Sequence, residues 1–128
     1  MATQIVIANE DSINVDNGYV ISWEDKGNSM PSLPDTIHYV VWNDLSGQNE
    51  IQTKDPSTGM MAGNTDLNAT SDAVGSTTIA DLLTWGETRK TEINTAKSNY
   101  ASAVADDELN GTTNADGKTW KDYDPNYS

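Results

Sequence analysis

From Ile79 to about Ala105 the chain runs without a proline, and Leu82, Trp85, Ile93, Ala96, Tyr100 and Ala103 recur at three- and four-residue steps. That spacing is the period of an α-helix with one apolar stripe. Arg89 is the one polar interruption of the stripe, and Thr88, Lys90, Thr91, Glu92, Thr95, Ser98 and Asn99 form the opposite face. Thr78-Ile79-Ala80-Asp81 matches a capping box that starts the helix. Gly86 weakens the first turns by about 1 kcal/mol against Ala, or allows a close approach beside Trp85. At roughly 1.5 Å per residue the helix spans about 40 Å. Such a length favours either a lone helix lying across a small sheet, the simpler expectation, or packing against a second copy.

The sheet is to be sought upstream. Gln4 to Ala8, "QIVIA", is a β-branched run that reads as a strand. In Ser12 to Trp23, two alternating runs flank Asp16-Asn17-Gly18, whose residues tolerate the positive φ of a tight hairpin turn. Pro31 and Pro34 keep Ser29 to Asp35 out of a sheet interior. Thr36 to Asn43 is the richest β-former run. Regular alternation puts Ile37, Tyr39 and Val41 on one face and His38, Val40 and Trp42 on the other. Both faces are largely apolar, which predicts a strand that is central or covered on both sides. After "DLSG" the chain returns as the polar "QNEIQTK", which predicts an edge strand ending a second hairpin, Ile37 to Lys54.

The expected architecture is therefore α+β in a single domain, 1–128. Its β-rich part, 1–54, forms a small, mainly antiparallel sheet of two hairpins. A loop, 55–77, carries turn residues without periodicity; the long helix, 78–105, follows, and then an extended polar C-terminal tail, 106–128. Only 35% of residues are hydrophobic and Phe is absent, so the core must rest on few aliphatics and four tryptophans. The tail nevertheless spaces Trp120, Tyr123 and Tyr127 through polar sequence, which suggests docking on a body or a neighbour. With Trp85 and Tyr100 these are the candidate interaction residues, since Trp and Tyr are enriched at binding hot spots.

Charge narrows the partners. Seven Lys and Arg against twenty Asp and Glu give a net charge of −13. Such a chain repels nucleic acid and anionic membranes at long range, and no basic run reverses this locally. The same acidity suits a high-salt medium, where self-repulsion is screened. No stretch is long and apolar enough for membrane insertion, and the opening residues lack the pattern of a cleaved leader. Cysteine is absent, which removes thiolate metal sites and Cys nucleophiles.

Catalytic signals are weak. His38 is the only histidine, and no nucleophile or metal motif accompanies it. A partly buried structural histidine bonded to a backbone carbonyl is the better expectation, and no catalytic residue is assigned. Asp106 to Gly117 places Asp106, Glu108, Asn110 and Gly111 at calcium-loop positions one, three, five and six, but Gly117 stands where a bidentate Glu is needed. An acidic turn is the expectation there, with no metal and no cofactor assigned. Asp106-Asp107 and Glu24-Asp25 read as solvated surface, not as a glycosidase pair.

Ile37-His38 with Trp42, then Gly47, Glu50-Ile51, Leu82-Leu83 and Trp85 carry a resemblance over about Thr36 to Tyr100. This stretch resembles small proteins encoded in the tail and tail-fibre gene regions of tailed bacteriophages, notably of marine bacteria. Asp44 to Gly47 is a longer turn than those proteins have, and residues 1–35 lie outside the likeness. The resemblance implies a virion structural protein, tail or fibre associated, without enzymatic activity. It would be made in the host cytoplasm, reside in the virion, and contact other virion proteins and copies of itself. A tail-fibre assembly chaperone and a capsid decoration protein are the alternatives.

Overall fold

The computed structural model describes residues 2–16 and 18–127. Asn17, the centre of the expected Asp16-Asn17-Gly18 turn, lies outside the described residues. Six strands form one sheet: β1 (Gln4–Ala8), β2 (Ser12–Val15), β3 (Tyr19–Ser22), β4 (Ile37–Asn43), β5 (Asn49–Lys54) and β6 (Met61–Asp66). Their spatial order is β3-β2-β1-β4-β5-β6, and every neighbouring pair is antiparallel. A short ribbon of β7 (Ala73–Val74) and β8 (Thr77–Thr78) leads into one helix, α1 (Ile79–Asn110). The α+β class holds, with a sheet larger than two hairpins.

Register explains where the core sits. Ile21, Ile13, Ile7, Val40 and Ile51 lie side by side across five strands, and all are buried. A parallel row runs Tyr19, Val15, Ile5, Trp42. Leu82, Leu83, Trp85 and Ile93 of α1 pack on these rows. Each buried aliphatic contributes roughly 1.5–3 kcal/mol relative to exposure. Gly86 is needed for this approach: a Cβ there would lie 3.1 Å from Ile5 Cδ1 and 3.3 Å from Val15 Cγ2. The close neighbours are thus sheet side chains.

β4 is central, as its composition predicts, but only one of its faces is covered by the helix. The other face carries Val6, Val41 and Tyr39 among Asn14, Ser12, Ser22, Gln52 and Glu50, the half-solvated pattern usual for an antiparallel sheet. The expected alternation also fails at one point. Ile37 pairs with Thr53 and Tyr39 with Gln52, so His38 is an extra, bulged residue. The bulge turns Ile37 into the core and leaves His38 exposed. His38 is therefore neither partly buried nor on the Val40–Trp42 face.

The chain downstream is more ordered than its composition suggests. β6 pairs outside β5, so β5 is an interior strand and not the edge. A turn makes this pairing possible: Asp55 N–H donates to Met60 O, Gly59 N–H to Asp55 O, and Ser57 N–H to Asp55 Oδ1. Helix α1 starts at the expected cap, Thr78 Oγ1 accepting from Asp81 N–H at 3.2 Å, which is one half of the expected capping box. It runs five residues past Ala105 and stops where Gly111 takes φ +66 and donates to Asp107 O. The full helix spans about 48 Å. The tail then turns back along it and forms a 3₁₀ turn, Trp120–Tyr123, with its own capping box.

Candidate functional site

The first candidate surface is built where the tail meets α1, around Arg89, the polar interruption of the apolar stripe. Arg89 has no solvent exposure. Its Nη1 donates to Asp124 Oδ1 at 3.0 Å, its Nη2 to Asp124 Oδ2 at 2.6 Å, and its Nε to the Asp25 carbonyl at 2.9 Å. The bidentate fork satisfies a charge that would otherwise be costly to bury. Burial alone would raise the Asp124 carboxyl; the Arg89 guanidinium and the Asn126 N–H outweigh it and hold the group below its ordinary value.

Three chain segments close this clasp. Asn28 N–H donates to Asn126 O at 2.8 Å, and Asn126 Nδ2 donates to Glu92 Oε2. Gly27 sits against the guanidinium with φ +78, and a Cβ there would fall 2.6 Å from Asn126 O and 2.8 Å from Arg89 Cζ. Sequence reading missed Asp124, Asn126 and Gly27. The available signal was Arg89 itself, because a charge inside an apolar stripe requires a partner.

The candidate aromatics extend the clasp. Tyr123 lies against Tyr100 with ring centroids 6.0 Å apart, and Tyr127 meets Trp120 edge-on at 6.1 Å. Lys97 sits over Trp120, Lys121 over Tyr127, and Lys118 over Tyr123. Trp85 is buried, its Nε1 donating to Ser29 Oγ at 3.3 Å. Trp120, Tyr123 and Tyr127 are brought together and direct much of their surface inward. Beside them lies an open groove of about 780 Å³, walled by Glu87, Thr91, Glu92 and Asn99 of the helix and by Tyr123 and Pro125 of the tail.

The acidic segment after the helix closes on itself. Asp107 accepts from Thr112 Oγ1, from Ala115 N–H at 2.6 Å and from Asn114 N–H at 3.1 Å. The Thr112 hydroxyl and these N–H groups hold its carboxyl below the ordinary value. Among the described residues no group of three His, Asp or Glu is placed to hold a metal ion. The exposed His38 side chain makes no hydrogen bond or ion pair among the described residues, so nothing there orients it as a base.

The second candidate surface is β6. All six of its residues are exposed, and Met60 and Met61 are 71% and 53% exposed. Leu67 N–H donates inward to Asn49 O at 2.9 Å. In an antiparallel ladder the direction alternates, so Asn64 and Asp66 turn their N–H and C=O groups away from β5, to the open edge. A register shift between Gly63 and Met61 makes Ala62 a bulge that ends the flat part of this edge.

Comparison with family models, with curated proteins and with solved structures finds no match to this chain.

Proposed function

We propose that this chain is a non-enzymatic structural protein of a phage virion, tail or fibre associated, acting through protein–protein contacts. The observation that carries the contact half of this reading is β6. All six residues of this strand are exposed, and none belongs to the buried core cluster. The strand is nonetheless ordered as a full ladder partner of β5. Such a strand is a presented surface rather than part of a core. The helix–tail groove adds a second presented surface, acidic through Glu87, Glu92 and Asp122, suited to basic segments of a partner. The virion half of the reading rests on the resemblance of Thr36 to Tyr100 to phage tail-region proteins.

Mass spectrometry of purified particles tests it. The chain is expected in the finished particle at a fixed ratio to a tail or fibre protein. Its presence only in assembling lysates would replace this reading with an assembly chaperone. Retention at the stoichiometry of the capsid lattice would make it a decoration protein.

A further inference from the structure

We infer that the partner of the β6 edge is the same edge of a second copy, paired antiparallel about a two-fold axis through Thr65. The inference rests on the reading that this chain works through protein–protein contacts, and it names one partner and one register.

Charge selects the place where two copies can meet. Two chains of net charge −13 repel each other over most of their surfaces. Pro56 to Thr65 is the longest run in the chain without a charged side chain, and it contains nearly all of β6. Like-charged copies can meet there with least repulsion. The edge carries neither a lysine nor a proline within Met61–Asp66, and its bulge at Ala62 leaves Gly63–Asp66 flat enough to pair. The opposite edge, β3, is shorter and has Asp16 at one end and Glu24 and Asp25 close to the other.

Backbone direction selects the register. Only Asn64 and Asp66 offer outward N–H and C=O groups on the flat part of the edge, so these must form the hydrogen-bonded pairs. An axis through Asp66 would set Asp66 against its own copy, two like charges face to face. An axis through Asn64 would require a matching pair at Ala62, which the bulge removes. An axis through Thr65 pairs Asn64 with Asp66 of the second copy, and Asp66 with its Asn64. Thr65 then faces its copy in a non-hydrogen-bonded pair, where β-branched Thr–Thr contacts are favourable. The buried row Ile21, Ile13, Ile7, Val40, Ile51 ends at Thr65. This axis therefore joins the two sheets with those rows in line. The interface is isologous and closes at two copies.

The absence of cysteine makes the register measurable by single substitutions in the full chain. Facing Thr65 Cα atoms would lie about 4.5 Å apart, inside the roughly 4.4–6.8 Å range of disulfides. Under mild oxidation Thr65→Cys is expected to yield a species of twice 13.9 kDa, faster than Asn64→Cys or Asp66→Cys. Val20→Cys, likewise exposed but on the β3 edge, is expected to stay monomeric. Asn64→Pro removes an outward donor that β5 does not use, so it should halve the sedimenting mass while leaving the circular dichroism spectrum intact. Sedimentation as a monomer up to the solubility limit, with Thr65→Cys no faster than Val20→Cys, overturns the inference. Fastest linkage at position 64 or 66 overturns the register. A monomeric chain that is still retained in purified particles sinks this inference alone and leaves the proposed function standing.

Discussion

Arg89 carries a full positive charge at a position from which its side chain reaches no solvent, and its only bidentate partner is 35 residues away. Removing Asp124 takes away the bidentate partner and leaves that buried charge only Glu92, 3.6 Å from Nη1, as a carboxylate neighbour. Asp124→Asn is expected to cost about 3–5 kcal/mol of stability, whereas the double change Arg89→Met with Asp124→Leu should cost much less. Denaturant melts of the two variants check this, and equal losses would show that the packing, not the charge, is what matters. The pH dependence follows from the sign of the shift. Asp124 is held below its ordinary value of 3.8 when folded. Its contribution is therefore complete above 3.8 and is lost as pH falls through the lower, folded value. Thermal midpoints of the native chain should drop over that window, and those of Asp124→Asn should change less. Gly27→Ala places a Cβ on the same clasp at a positive φ, so a loss of at least about 1 kcal/mol is expected from calorimetry.

At the level of elements, α1 and the strands up to β5 were legible because periodicity writes them directly. The Leu82–Ala96 stripe and the β-branched runs of β1, β2 and β4 all fell where their spacing put them. β6 was not legible. "MAGNTD" has neither alternation nor β-branched enrichment, and it is a strand only because the Asp55–Gly59 turn delivers it to β5. The bulge at His38 was equally hidden, since one inserted residue leaves composition unchanged while moving Ile37 to the other face. The clasp was half visible: Arg89 announced itself inside the stripe, but nothing in a polar tail singles out Asp124 among its neighbours. The contrast between elements is testable. Met60→Gln with Met61→Gln should leave stability within about 0.5 kcal/mol, as expected for surface changes. Ile13→Ala, within the buried row, should cost about 2–5 kcal/mol. Urea midpoints compare the two directly, and a large loss from the methionine pair would mean that β6 supports the core after all.

The whole molecule is an acidic body with few cations, and most of those are already engaged. Lys26, Lys97, Lys118 and Lys121 lie over aromatic rings, while Lys90 pairs with Asp16 and Glu87. The excess negative charge therefore has little to offset it at the surface. Added monovalent salt should raise the thermal midpoint steadily, because screening relieves self-repulsion more than it weakens the shielded Arg89–Asp124 pair. A midpoint that falls with salt would show that exposed ion pairs dominate instead. The clasp also bears on the order of events in time. Arg89 precedes Asp124 in the chain, and Asp25 O at 2.9 Å and Glu92 at 3.6 Å partner its guanidinium without the tail, so α1 can pack on the sheet first. Closure of the tail is then expected to come late on the folding path and to be undone early on the way out. A chevron analysis of Asp124→Asn should accordingly show a steeper rise in the unfolding rate than any fall in the folding rate, which would make this one ion pair a determinant of how long the protein stays folded rather than of how quickly it gets there.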